Sequence, residues 1–355
     1  MALDKKLGIV SYIGLILLFI FISYRSTVKI SPPLGGETIT FIFGEDKGKE
    51  TFYTLGEEHF REDSIAKTDY MVSHIRSIEE LILYLNENKQ VDPWSRIEIV
   101  IHGNTWSGLS TKILDGGERA YPKELLKANL KGKLPRLQER IIDSHTVINI
   151  WGCGIGRNPI MNLALDRIFT DRQGYVPQVK ASKDFVVFRR LNDNKPASRL
   201  SADFWPYFFK RGVRPSDTYI ANQLEKQYPN EEKKWVDILQ GQSINEGDFN
   251  QSFHVPITWT VIFDKKEDRP NVATKKEKMN WIKEQEGLMN RVDEFQIPLE
   301  KYNWTVNKII HKMENGEKVP AIKAIGMSTV LCILEEAQSD FQNEHTYVWE
   351  NLELL

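Results

Sequence analysis

The sequence predicts an α/β fold: a mostly parallel sheet with helices on both faces, followed by an α+β extension and preceded by a transmembrane helix. Three observations carry that expectation. Strand-like and helix-like segments alternate from residue 38 to about 190, the pattern of a parallel sheet with crossover helices. Within that stretch, Ile97-Glu98-Ile99-Val100-Ile101 and Val147-Ile148-Asn149-Ile150 are rich in β-branched residues, as strands buried on both faces are. Beyond 190 the alternation loosens, which marks a second architectural unit.

Taken in order, the chain begins with Leu7 to Tyr24, 18 residues without a charge between Lys5-Lys6 and Arg25. That length can span a bilayer and exceeds the apolar part of most signal peptides. Ser23-Tyr24-Arg25-Ser26 is a poor cleavage site, so residues 1–25 are expected to be an anchor, with a cleaved signal as the alternative. A short N-terminal tail before a long domain is expected to leave that domain outside the cytoplasm, single-pass, or secreted after cleavage. Residues 26–36, with two prolines and two glycines, read as a linker.

The main α/β domain is expected over 37–200. Thr38–Gly44 reads as its first strand and Tyr70–Ile75 as a short second one. Ser77 and Glu80 form a capping-box pattern ahead of a helix reaching Leu85. The strand ending at His102 follows. Pro122–Ile142 carries helical stretches broken near Pro135, and the strand ending at Cys153 comes next. A helix around Asn162–Phe169 and a fifth strand at Asp184–Phe188 complete the domain. In the extension, 201–355, residues 202–240 look helical and aromatic-rich, Phe253–Phe263 is a strand and 265–279 is a charged segment. Asn303–Leu334 reads as strands around an Asn315-Gly316 turn. Trp-Thr-Val occurs at 259–261 and at 304–306 with no fixed period, as two similar strands would give.

Composition narrows the function classes. Hydrophobic residues at 41% and charged residues at 27% are globular values, which exclude global disorder. A net charge of −2, with no basic face or zinc spacing, argues against nucleic acid as partner. Two cysteines, Cys153 and Cys332, are too few for a disulfide framework or a cysteine-based metal site. Cys332 lies in the apolar run Thr329–Leu334, where a packed, inert thiol is expected. The histidines show no metal spacing, so no metal and no cofactor are expected.

The two β-branched runs each end on a residue with catalytic chemistry: His102-Gly103 and Gly152-Cys153-Gly154. They stand 51 positions apart, room for one crossover. In a parallel sheet, sites gather at the carboxyl ends of the strands. A histidine within reach can take a thiol's proton and return it to a leaving group, while backbone N–H groups receive the developing oxyanion. The N–H groups of Gly103 and Cys153 are the natural donors. Flanking glycines relieve crowding around the nucleophile.

A strand ending in His-Gly, a crossover and a strand ending in Cys resemble the caspase-like cysteine peptidases: caspases, metacaspases, legumains, gingipains, separases and CHAT domains. The resemblance covers about residues 38–190. It implies endopeptidase activity on a peptide or protein substrate, with His102 as general acid/base, Cys153 as nucleophile and Gly103 as an oxyanion donor. Caspases carry Gln-Ala before the nucleophile and metacaspases an Asp two residues before it. Here Trp151 and Gly152 stand there, closer to separase and CHAT sequences. Substrate preference is therefore not readable, although Glu45 and Asp46 at the end of the first strand, with Trp151, are candidates to line a pocket. The alternatives are a catalytically silent, membrane-anchored scaffold of the same fold and an α/β-hydrolase. The hydrolase elbow needs glycines where Trp151 and Ile155 stand. A dinucleotide loop needs glycine where Arg157 stands.

Overall fold

The computed structural model describes residues 36–336, except 49, 193, 242–247 and 314, together with the strand Thr346–Val348. The expected anchor, Leu7–Tyr24, lies outside the described residues. Among those, no helix is long and apolar enough to cross a membrane.

The first sheet begins with β1 (Thr38–Ile42), followed by helix α1 (Phe52–Glu62), β2 (Tyr70–Val72) and α2 (Ile78–Glu87). Next come β3 (Arg96–Val100) and a small ribbon, β4 (Gly103–Asn104) with β5 (Gly108–Leu109). Helix α3 (Pro122–Leu130), β6 (Val147–Trp151), α4 (Pro159–Ile168) and β7 (Gln178–Ser182) complete the alternation. Strand order is β2-β1-β3-β6-β7, all parallel, and the Thr346–Val348 strand adds antiparallel to β7.

Strand periodicity sends Ile39, Phe41, Ile97, Ile99, Ile101, Ile148 and Ile150 to one face, against α2, α3 and α4. Helix α2 meets them with Ile78, Leu81, Ile82 and Leu85, an i, i+3, i+4, i+7 stripe. Its start is half a capping box. The Ser77 hydroxyl accepts the Glu80 N–H at 3.0 Å, but the Glu80 carboxylate takes the Arg76 N–H instead. Ile42, Val100 and Trp151 occupy the opposite face with Tyr53 and Phe60 of α1.

The second sheet holds β8 (Phe185–Arg189), β9 (Ser198–Lys210), β10 (Asp248–Ile262), β11 (Asn303–Lys312) and the long β12 (Lys318–Glu336), all paired antiparallel. One side of β12 runs along β10; the other carries β11 and then β9, and β8 forms an outer edge. Helices α5 (Asp217–Gln227) and α6 (Trp235–Leu239) cover one face through Ile220, Leu224, Trp235 and Ile238. Helices α7 (Lys275–Glu284) and α8 (Glu286–Glu294) cover the other through Trp281, Ile282, Leu288 and Val292. Arg291 and Glu294 of α8 pair with Glu124 and Lys123 of α3, linking the two units.

Four expectations change. Asp184–Phe188 does not extend the first sheet; as β8 it pairs with β9, so the second sheet begins inside the expected 37–200 unit. The fifth parallel strand is β7, whose half-buried Gln178 and Lys180 hide the strand pattern. Residues 198–210 form a strand rather than a helix, because aromatics stand on both of its faces: Phe204 in one core, Tyr207 and Phe209 in the other. Pro122–Ile142 is helical only to Leu130, and the charged segment becomes α7 from Lys275. The two Trp-Thr-Val triplets are similar strands, flanking β12 with Trp259 opposite Ala324 and Trp304 opposite Gly326.

Candidate active site

β3 and β6 are neighbours, with Val100 opposite Trp151, and the Ile101 N–H reaches the Trp151 carbonyl at 3.2 Å. The same register carries His102 and Cys153 past the end of the ladder side by side. Periodicity puts both on the α1 face, since Ile101 belongs to the opposite core. Gly152 and Gly103 keep the two ends close. A Cβ on Gly152 would sit 2.9 Å from Ile155 Cγ1 and 3.1 Å from the Ile101 carbonyl, and one on Gly103 2.7 Å from Ile155 Cδ1. The space beside Gly103 is thus filled by Ile155, not left for a substrate.

The strand order reverses direction at β1, which has β2 on one side and β3 on the other. Ligand crevices of open α/β sheets lie outside the carboxyl ends at such a reversal. The loop after β1 and the residue after β3 flank it here. His102 sits between two aromatics, stacked on Phe52 (4.4 Å between centroids) and edge-on to Tyr53 (4.7 Å). Its backbone N–H donates to the Tyr53 hydroxyl at 3.1 Å. Burial lowers the His102 pKa, against the pull of the Glu50 and Asp46 carboxylates, so the ring is held neutral.

Asp46 serves two neighbours. Thr51 at the N-terminus of α1 makes no side-chain cap, and Asp46 reaches across to accept the N–H groups of Tyr53 (2.9 Å) and Thr54 (2.8 Å). Burial alone would raise its pKa, but those N–H bonds win and hold it below the usual carboxylate value. Asp46, Glu50 and His102 each bring a ligand-type atom within 4.8 Å of the others. Both carboxylates favour the protonated imidazole, so they steer its charge electrostatically.

The Cys153 sulfur points at the Val186 carbonyl of β8, 3.7 Å away, and makes no hydrogen bond with His102. Burial pushes the thiol up to about 11, so at rest it is protonated. Since β8 is an outer strand of the second sheet, the thiol lies where the first sheet's carboxyl edge meets the second sheet's margin.

Two of the candidate pocket residues are elsewhere. Glu45 is exposed and pairs with His74 at 3.1 Å. Trp151 is buried beneath α1, its indole N–H donating to Glu98 and the Arg199 guanidinium 3.8 Å over its ring. Asp46 is drawn to His102 rather than to a pocket of its own. Cys332 is fully buried on β12. Sequence reading missed α1, whose buried face, Tyr53, Gly56, His59 and Phe60, carries a glycine and a histidine among its aromatics. It therefore missed Phe52, Tyr53 and the carboxylates beside His102. The one available signal was an aspartate a few residues ahead of an unrecognised helix.

No family model, curated protein or solved structure matches the chain.

Proposed function

We propose that this protein is a cysteine peptidase of the caspase-like kind, hydrolysing peptide bonds through His102 and Cys153 and tethered to a membrane by Leu7–Tyr24. One observation supports the reading: two adjacent parallel strands, paired in register up to Val100 and Trp151, each run on two residues further, to His102 and Cys153, at the carboxyl edge of the sheet. The neutral His102 accepts the thiol proton as sulfur attacks the scissile carbonyl carbon. It then returns that proton to the leaving amine as the C–N bond breaks. Water, activated by the same imidazole, hydrolyses the thioester. Asp46 and Glu50 stabilise the imidazolium that forms between the two transfers.

A second reading is a catalytically silent scaffold of the same fold. The half-buried, protonated thiol held against Val186 favours it. Hydrolysis of a mixed peptide library by the full chain separates the two. The peptidase reading expects cleavage that Cys153→Ala abolishes and that His102→Ala slows about 10²- to 10⁴-fold. Absence of cleavage by the wild-type chain, or cleavage that survives Cys153→Ala, overturns it.

A further inference from the structure

Arg119 carries a half-buried charge that no carboxylate balances. Arg96 and Arg291, also half-buried, pair with Glu98 and Glu124. Arg119, between β5 and α3, has no ion pair among the described residues, and no carboxylate acts on its pKa. Its donors meet neutral acceptors instead. Nε donates to the Leu109 carbonyl at 3.1 Å, and Nη2 to the hydroxyls of Ser107 at 3.2 Å and Ser110 at 2.9 Å. Ser107 is fully buried and passes its own proton to Asn104 Oδ1 at 3.0 Å, so a fixed network holds the guanidinium. Nη1 is left over: among the described residues nothing accepts its two protons, and it is open to solvent. Burial pushes the Arg119 pKa down, the mark of a cation short of both water and counter-ion. Neutral acceptors ease that cost without cancelling the charge, whereas an anion at Nη1 would cancel it.

The segment that anchors Arg119 leaves directly from the candidate site, since the Ser110 N–H donates to the His102 carbonyl at 2.7 Å. Tyr121, whose ring centroid lies 5.6 Å from the Arg119 guanidinium, also has Arg291 at 5.5 Å and Phe295, next after α8, at 6.3 Å. Arg119 thus stands where the first unit meets the second, with another guanidinium on the same ring. We propose that Arg119 is the centre of an oxyanion-binding site: its Nη1 N–H groups, with the hydroxyl proton of Ser110 on the same guanidinium, take a carboxylate or phosphate oxygen in charge-assisted hydrogen bonds. Because Nε and Nη2 are already taken, one nitrogen rather than a bidentate fork holds the anion, and a Kd of about 1 mM is expected. The site does not depend on the peptidase reading.

Phenylglyoxal modifies guanidinium groups that solvent reaches, and peptide mapping by mass spectrometry reads Arg119 separately in the full wild-type chain. Sodium phosphate and sodium glutarate, each at about 10 mM, are the probes. Occupancy slows labelling by the factor 1 + [L]/Kd, so about tenfold protection of Arg119 is expected, against about twofold or less from sodium chloride at equal ionic strength. Protection by one anion alone tells a tetrahedral phosphate from a planar carboxylate, and either result supports the site. Absence of protection by both anions, or equal protection by chloride, overturns it. So does an Arg119 that phenylglyoxal cannot label without anion, since Nη1 would then not be open. The readout is on the native side chain, so no variant has to fold.

Discussion

Alkylation of Cys153 as a function of pH tests the resting chemistry of the site directly. A thiol raised to about 11 is only about 0.1% ionised at pH 8. Free cysteine, near 8.5, is about 25% ionised at that pH, a ratio of roughly 250. The more basic thiolate is also the better nucleophile. A Brønsted slope near 0.45 over about 2.5 units returns roughly 13-fold. Iodoacetamide should therefore label Cys153 about 20-fold more slowly than free cysteine at pH 8, before any steric hindrance. The rate should climb close to tenfold per pH unit up to about pH 10. Because the sulfur bonds to Val186 and not to His102, His102→Ala should leave this rate within about twofold. Peptide mapping by mass spectrometry reads the labelling, with buried Cys332 as an unreactive internal reference. A labelling curve that levels off below pH 8, or a fall of tenfold or more in His102→Ala at neutral pH, would show a preformed thiolate–imidazolium pair and refute the reasoning.

Four further outcomes follow from the same geometry. Asp46→Asn removes a charge that favours the imidazolium, so the acid limb of a pH–rate profile, set by a His102 pKa already lowered by burial, should move to lower pH; a shift upward would contradict the placement. For stability, the folded chain keeps the Cys153 proton that the unfolded chain releases, so between pH 9 and about 11 the thiol should remove about 1.4 kcal/mol per pH unit, and Cys153→Ala should flatten that part of a urea-midpoint curve. Gly156→Ala would bring a Cβ within 2.3 Å of the Ala181 carbonyl, and a loss of about 1–3 kcal/mol in denaturant unfolding is expected; an unchanged midpoint would mean that β7 is not packed on this turn. Arg291→Ala leaves half-buried Glu124 and buried Glu294 without their guanidinium, and a loss of about 1–3 kcal/mol, shrinking on Glu124→Gln, would confirm that α8 is clamped on α3.

Much of the first sheet was legible because burial on both faces leaves a run of Ile and Val in the chain, as in β3 and β6. The Asn315-Gly316 hairpin was legible for another local reason: its turn needs residues that tolerate positive φ, and Gly316 adopts 86°. β7 was not legible, since Gln178 and Lys180 interrupt its apolar pattern. β8 was read as a strand but assigned to the wrong sheet, because a strand's own residues record its burial and not its partner. β9 looked helical because a strand sandwiched between two cores loses the alternation that would identify it. Helix α1 went unseen because its buried face carries a glycine and a histidine, and its start is capped by Asp46, five residues upstream in the same loop, rather than by the side chain at the cap position itself.

The sequence by itself determined that an imidazole and a thiol end two buried strands, with glycines beside each. Which residues meet them is a matter of non-local pairing, and only the tertiary structure decided it. It set β3 against β6 in register, turned Trp151 inward to Glu98, and brought Asp46, Glu50, Phe52 and Tyr53 around His102. It also decided the resting protonation of the pair, because a pKa follows from burial and neighbouring charge, and neither is written at the position that titrates.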